Sequence, residues 1–167
     1  MSSEPLEVDK ILNILKNVSK KEILKELEEL MNHYKEEKHG IQLIKIGGGY
    51  LFTTKPQYDK YIRQLITNKK EIRLSRAAIE TLAIVAYYQP ITLAEINSLR
   101  GVDSTHTLRT LLRHKLVKIV GRKNVPGRPL LYRTTKKFLI HFGLNSLNDL
   151  PSIEELEKIV EEKNSSF

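Results

Sequence analysis

Apolar side chains along this chain recur first at helical and then at alternating spacing, and the sequence of events is then run a second time. From Ser19, the positions Ile23, Leu27, Leu30, Met31 and Tyr34 place one apolar stripe on a helix ending near His39 and Gly40, with lysine and glutamate on the opposite face. The next stretch, IQLIKIGGGYLFTT, alternates and breaks at Gly47, Gly48 and Gly49, the pattern of two strands joined by a glycine turn. Further on, Ile79, Leu82, Ala83 and Ala86 give a helix apolar nearly all round, expected to be buried and to end at Pro90. A short helix from Thr92 to Arg100 and Gly101 follows, then one from about Asp103 to Lys115 on Leu108, Leu111 and Leu112. LVKIVGRKNVPGRPLLYRTT supplies a second hairpin.

Helix starts are marked chemically as well as by periodicity. Ser19 with Glu22, and Thr92 with Glu95, form capping boxes, in which the hydroxyl accepts a backbone N–H and the glutamate returns the bond. Val18 with Ile23, and Ile91 with Ile96, are the flanking hydrophobic staples. Ser75 reads as a third start, with Leu74 and Ile79 as the staple and no capping glutamate. In the second hairpin, Pro126 and Gly127 suit the central positions of a type II turn, because proline presets φ and glycine accepts the positive φ that follows.

YLFTTKPQYDKYI and LLYRTTKKFLIHF repeat one plan: an apolar strand, two threonines, a lysine and an aromatic-bearing helical segment. The expected fold is mainly α with small β-hairpins (α+β), arranged as two tandem winged-helix domains. Residues 1–66 are the first, 67–74 the linker (TNKKEIRL), 75–150 the second, and 151–167 an acidic tail able to form an amphipathic helix on Ile153, Leu156, Ile159 and Val160.

Length and charge narrow the function. The 167 residues are 40% apolar, enough for packed cores, and contain no cysteine, which excludes disulfides, thiolate metal sites and thiol nucleophiles. No run approaches the roughly 20 apolar residues of a membrane helix, and MSSEPLEVDK lacks the layout of a secretory signal, so a soluble, intracellular protein is expected. The net charge of +8 is unevenly spread: residues 75–142 hold 12 basic and 3 acidic side chains, whereas residues 143–167 hold 2 and 6.

Catalytic chemistry is poorly represented. His33, His39, His106, His114 and His141 have no metal-ligand spacing, the three glycines lack the Lys-Ser/Thr of a phosphate loop, and Glu28–Glu29 and Glu161–Glu162 lie in lysine-rich helical settings. Nothing here calls for a catalytic group, a cofactor or a metal. Two binding readings stay open. In a winged helix the third helix can enter the major groove, which here would present Thr105, His106, Arg109 and Arg113 together with Arg122, Lys123 and Arg128 of the wing. Base-reading Asn or Gln is missing from that helix face, and a protein partner is the stronger reading.

Three blocks in order carry a resemblance: LSRAAIETLAIVAYYQPITLAEINSLRGVDSTHTLRTLL, GRKNVPGRPLLYRTT and FLIHFGLNSLNDLP. They resemble the segregation and condensation protein B family, winged-helix partners of the bacterial kleisin in the structural-maintenance-of-chromosomes (SMC) complex, over roughly Leu6 to Pro151. The family pattern falls on Glu80, Thr81, Leu82, Ala83, Tyr87, Gln89, Pro90 and Ile91, then on Arg100, Gly101 and Val102. In the hairpin it falls on Gly121, Arg122, Pro126, Gly127, Arg128, Pro129, Leu131, Tyr132, Thr134 and Thr135.

The resemblance implies a non-enzymatic, cytoplasmic, nucleoid-associated subunit. It would dimerise chiefly through its first winged helix and bind the kleisin, segregation and condensation protein A (ScpA), mainly through its second, and so reach SMC. Its role would be chromosome condensation and partition during cell division. Tyr87, Pro90, Arg100, Arg122, Arg128 and Pro129 are the candidate partner-binding residues, since amphipathic aromatics and arginines concentrate in interface hot spots. Arg109, Arg113 and Lys123 are the candidate contacts for weak binding to DNA. The alternative is a winged-helix DNA-binding transcription regulator. Relatives carry a further apolar helix ahead of the stretch matching LEVDKILNIL; only five residues precede Leu6 here, so the first winged helix is expected to lack its first helix and to leave an apolar face uncovered.

Overall fold

The computed structural model describes residues 4–65, 73–156 and 158. Most of the expected linker, and the tail beyond residue 158, lie outside the described residues. The fold is α+β. Its elements run α1 (Val8–Ile14), α2 (Lys20–Lys35), β1 (Ile41–Ile46), β2 (Gly49–Thr54), a 3-10 turn at Pro56–Tyr58 leading into α3 (Asp59–Leu65), then α4 (Arg76–Tyr88), β3 (Ile91–Thr92), α5 (Leu93–Arg100), α6 (Thr105–Arg113), β4 (Val117–Arg122), β5 (Leu130–Thr134) and α7 (Lys136–Phe142).

The caps form as the residue types dictate. Ser19 and Thr92 each complete a capping box with Glu22 and Glu95, and the Ser75 hydroxyl accepts the Ala78 N–H. Two helices end earlier than periodicity alone suggests. α2 stops at Lys35 because Glu36 turns extended, and the buried Lys55 ammonium donates to the carbonyls of both Lys35 and Glu36 at the negative end of the helix. α6 spans Thr105–Arg113, inside the expected Asp103–Lys115, and Lys115 adopts a left-handed φ of 58°.

The first half is thinly packed. Its hairpin closes through Gly47 and Gly48, at φ 59° and 77°, the two-residue geometry whose twist matches the strands. Leu6 pairs with Tyr50, and a side chain at Gly49 would sit 2.8 Å from the Leu6 carbonyl oxygen, so that strand can lie there only against glycine. Buried apolar side chains in this half are Ile23, Leu43 and Ile46, while Ile14, Leu15, Leu30, Tyr61 and Leu65 are exposed. Leu30 therefore departs from the expected buried stripe. The glycine turn rests on the second half: Gly47 N–H donates to Leu144 O (2.9 Å), Gly48 N–H to Asn145 Oδ1 (3.2 Å), and Lys136 pairs with Glu7.

The second half holds the main core, built on Leu82, Val85, Ile96, Leu108, Leu111, Leu116 and Phe138 against the three-stranded sheet β3-β5-β4. α4 is not buried all round, in contrast to the expectation from its composition. Ala78, Thr81, Leu82, Val85 and Ala86 face inward, whereas Ile79 and Tyr88 are about half exposed (49% and 51%) and Ala83 is also open. A helix packed on one side by α5 and α6 has only one face to bury, whatever its other residues are.

β3 is short for a chemical reason. Ile91 and Thr92 pair with Tyr132 and Leu131, and the same register would set Pro90 opposite Arg133 and Gln89 opposite Thr134. Proline has no N–H to continue the ladder. The Gln89 side chain takes over: Oε1 accepts from Thr134 N–H (2.7 Å) and Thr134 Oγ1 (3.0 Å), while Nε2 donates to Ala86 O (3.1 Å).

Leu82→Ala is expected to cost about 2–5 kcal/mol in urea unfolding, the range for emptying a well-packed core site. Ile79→Ala, on the open face of the same helix, should change stability by only about 0.5 kcal/mol.

Candidate interaction surface

The second hairpin and the ends of α4 and α5 bring together most of the candidate residues. The turn is of type II as expected: Arg128 N–H donates to Val125 O (2.9 Å) across Pro126 and Gly127, and Gly127 has φ 80°. Lys123 N–H donates to Pro129 O (2.8 Å), and Arg122 Nη1 to Arg128 O (3.0 Å), so the tip is braced from inside by one of its own arginines. Pro129 is half-buried, while Arg122, Arg128 and the apolar Val125 face outward.

Lys123 is tied back to α5. Its ammonium lies 2.5 Å from Glu95 Oε1, and the other Glu95 oxygen accepts from the Thr92 N–H (2.8 Å) and hydroxyl (2.7 Å). The Lys123 hydrogen bond first, then the Thr92 bonds, hold the Glu95 carboxyl down at about 2. One carboxylate thus caps a helix and anchors the wing.

Arg100 is turned inward. Its side chain is 10% exposed and donates to Glu80 Oε2 (3.1 Å) and Ser104 Oγ (2.9 Å), with Ser104 fully buried. Glu80 also accepts from Arg76 (3.1 Å), and the Arg100 and Arg76 bonds hold its carboxyl below the usual range. Tyr87 donates its hydroxyl to Pro151 O (2.7 Å), fastening the end of the second half to α4. Arg100 and Tyr87 therefore position neighbouring parts of the chain.

Pro90 is exposed on a groove of about 340 Å³ lined by Tyr88, Ile91, Glu95, Ser98 and Leu99. Leu99 is 52% exposed. Tyr88, Ser98 and Leu99 were not among the candidates. Their helical settings read as ordinary packing, and only the crossing of α4 and α5 sets them side by side. On α6, His106, Arg109 and Arg113 are exposed as expected of that face; Arg113 Nη2 donates to Thr110 Oγ1 (3.1 Å), and Asp103 lies near enough to Arg109 for its carboxyl to be lowered, after the larger effect of Thr105.

The family model described as segregation and condensation complex subunit ScpB matches residues 1–153. The chain belongs to the segregation and condensation protein B family. The segregation and condensation protein B of Clostridium tetani is 46% identical over 157 residues, covering 93% of this chain and 82% of that protein. The one from Syntrophotalea carbinolica is 47% identical over 139 residues, covering 83% and 70%. A crystal structure of ScpB from Mycobacterium tuberculosis, 28% identical, aligns over 86% of this chain and 89% of that one with a TM-score of 0.43. Membership makes this chain one of a family of segregation and condensation complex subunits.

The Glu95 pKa lies below its unfolded value of about 4.3, so the stability contributed by this carboxylate is complete above that value and is lost as pH falls from there through about 2. In Lys123→Met the Glu95 carboxyl should titrate higher than in the parent, yet still below an ordinary glutamate, because the Thr92 bonds remain. Carboxyl-resolved NMR titration reads this directly.

Proposed function

We propose that this chain is a non-catalytic subunit that binds the kleisin ScpA, and through it SMC, and acts in chromosome condensation and segregation in the cytoplasm, on the nucleoid. Family membership over most of the chain supports the class. The observation that carries the partner reading is the groove between α4 and α5: Tyr88, Pro90 and Leu99 leave apolar surface open beside a wing whose shape is fixed by internal hydrogen bonds. A pre-shaped apolar groove with a polar rim fits a polypeptide partner. Pro90, Arg122, Arg128 and Pro129 would border the partner, and Tyr87 and Arg100 would hold the surface in shape.

The chain acts as a homodimer in this reading. Ile14, Leu15, Leu30, Tyr61 and Leu65 are exposed in the first half beside a small core, and apolar area of that kind is unfavourable in water unless a second copy covers it. The alternative of a DNA-binding regulator draws on the exposed Arg109 and Arg113 of α6. It is weakened by the tie of Lys123 to Glu95, which occupies the third candidate contact.

The full chain should co-purify with the kleisin's central region at about 0.3 M salt, where a Debye length of about 6 Å strips simple charge contacts. Leu99→Glu should weaken that capture by about tenfold or more without unfolding the protein, because Leu99 is half exposed. Capture that fails in moderate salt, or that ignores Leu99→Glu, would contradict the groove as the docking site. Light scattering on the eluting peak should give a dimer.

A further inference from the structure

All three carboxylates between residues 75 and 142 are used on the α4–α6 side of the second half. Glu80 is held by Arg76 and Arg100, Glu95 by Lys123 and Thr92, and Asp103 by Thr105 and Asn97. The base of the hairpin, on β4 and β5, has no carboxylate of its own. There Lys118 and Arg133 are paired residues on neighbouring antiparallel strands, and both are exposed. Like charges set directly opposite one another on a sheet repel and destabilise it. Neither side chain has an acidic partner among the described residues. Lys115 and Lys137 are also exposed, and the Thr135 hydroxyl at the head of α7 donates to Lys115 O (2.6 Å).

The pairing is built in by the hairpin's irregularity. Arg122 lies opposite Leu130 and Gly121 opposite Leu131, but the register shifts between Ile119 and Gly121, with Val120 as the extra residue. An unbroken register would set Lys118 against Thr134; the bulge sets it against Arg133. The two cations flank a shallow cavity of about 280 Å³ between β4, β5 and the start of α7, where Lys136 is the third cation and is already paired with Glu7.

We propose that this face, distinct from α6 and from the wing tip, binds the phosphodiester backbone of duplex nucleic acid through Lys118 and Arg133. The inference does not rest on kleisin binding. Charge complementarity favours an external polyanion: the two cations stand opposite one another without an acidic partner among the described residues, and Glu155, at the described start of the acidic tail, caps its own helix at Ser152. No base-reading Asn or Gln accompanies the cations, so binding is to the backbone, sequence-independent and steep in salt.

The test is fluorescence anisotropy of the full chain with two unrelated duplexes of about 30 base pairs, titrated at several salt concentrations. Both should bind alike, with affinity falling steeply as salt rises. Lys118→Glu turns the repelling pair into an attracting one, so the fold should keep or gain thermal stability while duplex affinity at 0.1 M salt falls about tenfold or more. Lys118→Gln with Arg133→Gln should reduce the slope of log affinity against log salt by about 2. Arg109→Gln with Arg113→Gln should leave affinity within about twofold. Loss of binding in the α6 variant alone, or no duplex binding at 0.1 M salt, would overturn the proposal. So would a polyglutamate peptide that binds through Lys118 and Arg133 while duplex does not, since the occupant would then be an acidic protein segment.

Discussion

The side chain of Gln89 joins the helical part of the second half to its hairpin. It stands where a β-ladder would continue but where Pro90 cannot donate, and its amide oxygen takes the Thr134 N–H that would otherwise be left buried without a partner. A buried, unpaired backbone N–H costs about 1–3 kcal/mol, so this one bond has a disproportionate effect on where β5 can lie. β4 follows β5 through its ladder, the wing tip follows β4, and Arg133 sits next to the clamped Thr134. The cationic face at Lys118 and Arg133 thus lies on the ladder next to this tie, while the groove at Pro90 is set by the crossing of α4 and α5.

The two halves use one plan with different degrees of completion. In the second, a continuous core stands behind the hairpin, and a surface can be displayed without being needed for folding. In the first, the hairpin has only a few buried apolar residues behind it and borrows support from α7 and the residues after it, through the bonds made by Gly47 and Gly48. Ile14, Leu15, Leu30, Tyr61 and Leu65 stay exposed there. Where a half cannot bury its own apolar area, association is the physical remedy, and the proposed dimerisation draws on that cost.

Local chemistry was readable in advance and long-range juxtaposition was not. The capping boxes at Ser19 and Thr92, the glycine turn at Gly47–Gly48 and the type II turn at Pro126–Gly127 each depend on residues within a few positions of one another, and each formed as the residue types required. Helical spacing carries α2 on to His39 and Gly40, but the lysine at its actual end, Lys55, comes from beyond the following hairpin. By residue type Arg100 reads as a surface anchor and Lys123 as a phosphate contact, whereas Glu80 and Ser104 surround the first and Glu95 lies against the second. The Lys118–Arg133 pair depends on a bulge at Val120; Gly121 beside it, at φ 156°, is the residue type that marks a bulge, but the pairing that results is seen only in the register. Family resemblance marked Gln89 and Thr134 as pattern positions, but only the register shows why they belong together.

Hydrogen exchange of Gln89→Leu, followed amide by amide, tests the dependence of the hairpin on this side chain most directly. The account predicts that protection at Thr134 and along Leu130–Thr134 falls sharply while Leu82, Val85 and Leu111 in the core keep theirs. Unchanged protection at Thr134, or a uniform loss across the whole second half, would contradict it.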